Sequence, residues 1–269
     1  MLTFLFWNLN GKPLEGLIQL LLEEHAPDLV ILAECEIPAS DLKAMLRTQY
    51  KMRYRLLEND PSPKLVFISR LPKASIKLVS DEGGIAIRRV ASPLGESYLL
   101  VAGHLSSKLN LDFEEQGLLA TRLPQMIGEA EKKVKHFRTI VIGDFNMDPF
   151  EAGLTSSETL HAVMDQRVAS RQMRVVQGQT RRFFYNPMWN VLGDGTTGPP
   201  GTYFYNDSTV VAHFWHTFDQ VLIRPDLLPN FKHENVSVLT SAGTHSLLNA
   251  KGRPDGVTAS DHLPLLFKI

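Results

Sequence analysis

Apolar residues along this chain follow two rhythms. Short unbroken runs at residues 4–7, 29–32, 65–68 and 139–142 predict buried strands. Less uniformly apolar stretches between turn residues predict further strands at 84–88, 98–102, 218–223 and 263–268. Helical spacing instead joins Leu14, Leu17, Ile18, Leu21 and Leu22. Pro13 suits a helix's first turn and Pro27 closes the segment, so a helix is predicted over 13–25. A second helical face runs through Leu118, Leu119, Leu123, Met126, Ile127 and Ala130, with Pro124 inside it. Asp112 and Glu115 resemble a capping box ahead of that helix.

A strand, a helix and a strand within the first 34 residues read as a βαβ unit with a right-handed crossover. Residues 58–63 are a loop by composition. Residues 193–201 hold four glycines and two prolines and form the best candidate for a mobile loop. That segment does not read as a domain linker, because the strands on both sides of it are needed for one sheet system. The expected organisation is a single α/β domain over residues 1–269.

Composition narrows the function classes. With 43% hydrophobic and 21% charged residues, the chain is globular rather than disordered, collagen-like or repetitive. Lys and Arg total 28 against 29 for Asp and Glu, a net charge of −1. General polyanion binders are basic, so any nucleic-acid contact must rest on local patches. The single cysteine, Cys35, excludes an internal disulfide framework and a cysteine-built zinc cluster, and it permits a reducing compartment. The apolar start at 1–7 has no basic lead and ends at Asn8, Asn10, Gly11 and Lys12, unlike a secretory signal. No stretch approaches the roughly 18 apolar residues of a membrane span. The expectation is a soluble, cytoplasmic protein, mature from residue 1.

Polar residues of catalytic type stand at the strand ends. Asn8 follows the first strand and Glu34 the second. His104 follows the strand at 98–102, and Asp144 and Asn146 follow the one at 139–142. Asp261 and His262 stand just before the last. Strand ends in layered α/β folds form the rim where ligands bind. Taken singly, each residue reads as a turn, a cap or a solvated loop acid; Asp144 and Asn146 would suit an Asx turn. Taken in order, they make a pattern.

That pattern is Phe6-Trp7-Asn8, Leu32-Ala33-Glu34, Gly103-His104-Leu105, Gly143-Asp144-Phe145-Asn146, Thr217-Phe218-Asp219-Gln220-Val221-Leu222 and Ser260-Asp261-His262-Leu263-Pro264. It resembles the endonuclease/exonuclease/phosphatase superfamily of metal-dependent phosphoesterases, over residues 6 to 264. The resemblance implies a deoxyribonuclease-like, four-layer α/β sandwich: two facing mixed β-sheets flanked by helices, with the site at one end. It also implies roles. Glu34 resembles the principal Mg²⁺ ligand, with Asn8 and Asp261 close to the same ion or its waters. Asp144 resembles the residue that orients and deprotonates the attacking water. Asn146 resembles a phosphate- or water-positioning amide. His262 resembles the histidine that contacts the scissile phosphate, Asp219 the acid that holds it, and His104 a second histidine near the leaving oxygen.

The residue types suit that chemistry on their own terms. A phosphodiester is an anion that repels hydroxide, so hydrolysis needs a cation, a placed water and proton donors. Mg²⁺ prefers oxygen donors and needs few protein ligands; Mn²⁺ can substitute. A carboxylate accepts the water's proton, and a histidine stabilises an anion or donates a proton near neutral pH.

Other features read as structural. His213 and His216 lie three apart, without further zinc-type ligands nearby, and read as solvated or packed. Lys132, Lys133, Lys135, His136 and Arg138 form a basic run at a helix end and read as solvated. Arg167, Arg171, Arg174, Arg181 and Arg182 form a broader basic segment, open between a phosphate track and plain surface. Cys35 reads as a buried small residue. Tyr203, Phe204, Tyr205 and Trp215 are open between base-stacking rings and core.

Abasic-site endonucleases of the resembled family carry a tyrosine where His104 stands and a Gln-Glu pair where Ala33-Glu34 stands. This places abasic-site repair behind a more general role. The leading expectation is a Mg²⁺-dependent phosphodiesterase acting on DNA, RNA or nucleotides. The alternatives are a phosphatase or phospholipase-type enzyme on a small or lipid phosphate, and a silent binding module.

Overall fold

Alternation along the strands sorts apolar side chains into three separate cores. The structure, a computed structural model, describes residues 1–48, 54–57, 64–93, 95–105, 113–195, 197–206, 208, 210 and 212–269, the side chains of 48 and 113–121 excepted. The expected loop at 58–63 and the capping pair begun by Asp112 lie outside the described residues.

One six-stranded mixed sheet runs in the order Val236–Val238, Leu265–Lys268, Thr3–Asn8, Leu29–Ala33, Leu65–Ser69, Arg55–Leu56. The first strand lies parallel to Leu29–Ala33, the crossover being the helix α1 at Glu15–His25, and antiparallel to the last strand of the chain. A seven-stranded mixed sheet runs Ile76–Glu82, Ile85–Ala91, Ser97–His104, Thr139–Asp144, Asp219–Ile223, Phe184–Tyr185, Ala162–Val163.

The inner core lies between the sheets. Phe4, Phe6, Ile31, Phe67 and Phe267 of one face Ala86, Leu100, Ile140, Ile142 and Val221 of the other. Their alternate neighbours point outward, because successive strand residues face opposite sides. Leu5, Trp7, Val30 and Leu32 pack under α1 and under a second helix, α2, at Ala39–Thr48. Ile87, Leu99, Val101 and Val141 pack under α3, at Phe113–Val134, through Leu123, Met126, Ile127 and Ala130. The layers are therefore helix, sheet, sheet, helix, as the resemblance implies.

The eight expected strands are all present, with ends shifted by three residues or fewer. Pro124 stays inside α3. The strand Ile76–Glu82, the helix α2 and the hairpin Met173–Val176/Gln179–Arg182 were not predicted from the sequence. Among the described side chains of α2, Leu42, Met45 and Leu46 are the buried ones, too short a stripe to mark a helix. The hairpin is exposed along most of its length, so no buried face imprints an alternation on it. Among the described residues, no helix is long and apolar enough to cross a membrane.

The two central strands of the larger sheet lie parallel, with Gly103 opposite Gly143 and His104 opposite Asp144. A Cβ on Gly143 would fall 1.9 Å from the Gly103 carbonyl oxygen, so only glycine allows this approach. At the other end of the same strand, Glu131 of α3 accepts from Arg224 Nε at 2.8 Å and from Thr139 Oγ1 at 2.7 Å, a buried ion pair that fastens helix to sheet. Gly143→Ala therefore forces the strands apart, and we expect a loss of about 3 kcal/mol or more in urea unfolding. A wild-type midpoint in this variant would contradict the close approach.

Candidate active site

Each strand that ends at the same rim of the sandwich delivers one polar side chain there. Asn8 is the last residue of the first strand and pairs with Ala33, so Glu34 follows directly beside it. Glu34 has a left-handed φ of 46°. That conformation is costly for a residue with a Cβ and persists only where surroundings impose it. Here the Glu34 carbonyl accepts from Gly11 N–H at 2.9 Å, while its carboxylate meets Asn8. In the other sheet, His104, Asp144 and Asp219 stand opposite one another on three neighbouring strands, so their side chains leave one face.

The Asn8 amide joins the two sheets. Its Nδ2 donates to Glu34 Oε1 and to Asp144 Oδ2, both at 2.9 Å, and its Oδ1 accepts from Asn10 N–H at 2.9 Å. In this arrangement Asn8 offers the acids its donor, not its oxygen. His104 Nε2 lies 3.1 Å from Glu34 Oε1 and 4.0 Å from Asp144 Oδ2. His262 Nε2 lies 3.9 Å from the same Asp144 oxygen, while its Nδ1 is bonded to Asp219 Oδ2 at 2.8 Å.

These neighbours set the charges. The hydrogen bond from His104, helped by the Asn8 amide, outweighs partial burial and holds Glu34 ionised, its pKa about 2. Burial alone would strip His262 of its proton. The charge and hydrogen bond of Asp219, with Asp144 and Asp261 nearby, overcome that and push its pKa up to about 10. Burial and the like charge of Asp219 raise Asp144 above the usual carboxylate range, against the pull of the two histidines and Asn8.

Asn146 and Asp261 stand at the margin. Asn146, also left-handed with φ 51°, gives its backbone N–H to Asp144 Oδ1 at 2.9 Å and spends its side-chain NH₂ on the Leu105 carbonyl at 2.8 Å. Asp261 is half-buried and adds negative charge toward His262 and Tyr203. The rim thus gathers Asn8, Glu34, His104, Asp144, Asp219 and His262 into one cluster, with Asn146 and Asp261 beside it.

From the sequence alone Ser260, Trp7 and Thr202 have no role of their own, and Tyr203 is open between stacking and core. Ser260 Oγ donates to the Asn8 carbonyl at 2.6 Å and accepts the His262 N–H at 3.1 Å. Trp7 Nε1 donates to the His262 carbonyl at 2.9 Å. Thr202 Oγ1 accepts the Asp219 N–H at 3.1 Å. Tyr203 forms a bridge with His262, their rings 4.7 Å apart. Ser260 and Trp7 flank chemistry-bearing residues in the sequence, which is the signal that marks them.

The two histidines left aside differ from each other. His213 is exposed, whereas His216 is packed on Phe218 and bonded to Asp148. Lys132, Lys133 and Lys135 face solvent. In the broader basic segment, Arg174 donates to His161, Arg181 to Glu158, and Arg182 covers the Phe137 ring, so these three are committed within the fold.

The donor set suits a hard divalent cation. Two groupings, Glu34/His104/Asp144 and Asp144/Asp219/His262, each place their donor atoms within 4.8 Å of one another. Asp219 Oδ1 is buried with no hydrogen-bond partner among the described residues. Crowded, partly desolvated carboxylates with one orphaned oxygen are short of positive charge, and oxygen donors match Mg²⁺ or Mn²⁺.

The sequence matches the profile of the Endonuclease/Exonuclease/phosphatase family over residues 5–262. The chain belongs to this family of nucleases and phosphatases, divalent-metal-dependent hydrolases of phosphoester bonds. No curated protein matches the sequence significantly. Solved structures share the fold. The 3′ phosphatase NExo from Neisseria, bound to a product DNA hairpin, superposes with TM-score 0.60 and 14% identity, over 100% of this chain and 99% of that one. The human Nocturnin catalytic domain gives 0.55 and 17%, over 99% and 93%. TDP2 of D. rerio, complexed with a single-strand DNA product, gives 0.51 and 18%, over 99% and 97%.

Stability should report the His262 charge. Its folded pKa of about 10 exceeds an unfolded value of about 6.5, so the stabilisation is complete below about pH 6.5 and is lost as pH rises through about 10. Between about pH 7 and about pH 10.5 the melting temperature of the wild type should fall more steeply than that of His262→Gln. Parallel curves would refute the Asp219–His262 charge pair.

Proposed function

We propose that this chain is a Mg²⁺-dependent phosphodiesterase that hydrolyses DNA, RNA or nucleotide phosphodiesters by attack of a water oriented by Asp144. The observation that carries the reading is the setting of Asp144. It is 1% exposed, its Oδ2 is held by Asn8, and two histidine Nε2 atoms stand 3.9 and 4.0 Å away. Those gaps exceed a direct hydrogen bond and suit an interposed water or phosphate oxygen.

In this reading Asp144 accepts the proton of the attacking water, a task its raised basicity favours. Its backbone-bonded Oδ1 and amide-bonded Oδ2 fix the carboxylate plane, so the water is aimed rather than merely bound. His262 stays protonated near neutral pH and stabilises the charge that grows on the phosphoryl oxygens. Asp219 holds its ring through Nδ1. His104 stands near the leaving oxygen and supplies a proton to it. Asn146 sits beside the water. A bound Mg²⁺ or Mn²⁺ would supply positive charge against the phosphate, with Glu34 and Asp261 the proposed holders and Asn8, whose amide hydrogens face the acids, orienting Glu34 beside it. The DNA in the NExo and TDP2 structures supports nucleic acid as the substrate class.

The test is cleavage of single- and double-stranded DNA and RNA and of small phosphodiesters. We expect hydrolysis that stops with EDTA and returns with Mg²⁺ or Mn²⁺, and losses of about 10²–10³ in rate for Glu34→Gln and Asp144→Asn. Phosphate release from small or lipid monoesters with polynucleotides untouched would select the phosphatase alternative. Tight binding without turnover would mark a silent binding module.

A further inference from the structure

A second histidine–carboxylate pair stands at this rim, and the reaction above does not use it. His216 Nδ1 lies 2.7 Å from Asp148 Oδ2, close to the 2.8 Å of His262 Nδ1 and Asp219 Oδ2. Asp148 belongs to the loop that follows Asp144 and carries Asn146. It is 2% exposed, and its other oxygen accepts the Thr217 N–H at 2.8 Å.

The two histidines face the same way. Tyr203 pairs antiparallel with His216 on one side and forms its bridge with His262 on the other. Residues opposite each other in a ladder project to one face. Ring contacts agree: Tyr203 lies 4.7 Å from His262 and 6.5 Å from His216. Two strand spacings set the histidine backbones about 10 Å apart.

The His216 ring is fixed rather than loose. It stacks on Phe218 at 4.7 Å, and the backbone behind it is packed so closely that a Cβ on Gly201 would fall 2.5 Å from the His216 carbonyl. With Nδ1 committed to Asp148, Nε2 is the ring nitrogen left for a ligand, on a side chain that is 18% exposed. A purely structural clip would not need that outward atom, because Asp148 already ties the strand through Thr217 N–H. With Asp148 holding the ring in place, a phosphate oxygen brought up to Nε2 meets a ring N–H already aimed at it.

We propose that His216, positioned by Asp148, binds a second phosphate of the substrate, the one next along the chain from the phosphoester that faces His262. This rests on the phosphodiesterase reading and deepens it. The preferred ligand is a nucleotide unit with phosphoryl groups on both sides of its sugar, as inside a polynucleotide strand.

Calorimetry with Ca²⁺ in place of Mg²⁺ tests this without turnover, using thymidine 3′,5′-bisphosphate against the 3′- and 5′-monophosphates. We expect the wild type to prefer the bisphosphate by about tenfold or more. His216→Phe keeps the ring stack but removes the donor, and should lower bisphosphate affinity about tenfold while changing monophosphate affinity less than about twofold. Asp148→Asn, which keeps the side chain's size, should act in the same direction. No bisphosphate preference in the wild type, or equal losses for all three ligands, would overturn the proposal. A wild type that shows this binding pattern yet hydrolyses no phosphodiester would instead overturn the proposed function and leave the His216 site standing.

Discussion

Glu34, Asp144 and Asp219 crowd into one rim of a sandwich, and carboxylates brought together out of water repel one another. The structure meets that constraint with two devices. The Asn8 amide divides its two hydrogens between Glu34 and Asp144, which come from different sheets. His262 lends its positive charge to Asp219 and Asp144 at once. The remaining negative charge is where a divalent cation would gain most, by relieving the repulsion among the acids. Buried polar clusters of this kind stand or fall together, because each unsatisfied member costs more in a low dielectric than in water.

The fold exists, in functional terms, to hold that rim. Unbroken apolar strands leave no freedom of register, since a one-residue slip would turn every core side chain outward. The polar residue at each strand end is therefore placed with the precision of the core beneath it. The left-handed backbone at Glu34 and Asn146 shows the same economy: conformations that cost of order 1–3 kcal/mol are retained where the Glu34 carboxylate meets Asn8 and the Asn146 N–H meets Asp144.

The central sheets were legible in the sequence because burial on both faces writes continuous apolar runs such as Thr139-Ile140-Val141-Ile142. The site was legible because Asn8, Glu34, His104 and Asp144 interrupt such runs with the wrong chemistry for a core. What escaped had no such contrast. The helix α2 buries only three large residues, and the hairpin at Met173–Arg182 is mostly exposed. Asp148 looks like any turn acid, because its partner is 68 positions away. Residue type likewise marked Asn8 as part of the site but not which of its two amide atoms meets the acids; that follows from the Asn10 N–H.

The last strand, Leu265–Lys268, lies between Val236–Val238 and the first strand, and the Leu2 and Ile269 backbones exchange two hydrogen bonds. Long-range pairing of this kind forms only after its loop-closure entropy has been met. A chain still emerging from the ribosome carries Asn8 and Glu34 early, yet lacks Asp261, His262 and the strand that anchors them. Half-made molecules therefore hold an incomplete rim, in which Asp144 lacks the His262 imidazole until the strand at Leu265–Lys268 has paired with Thr3–Asn8.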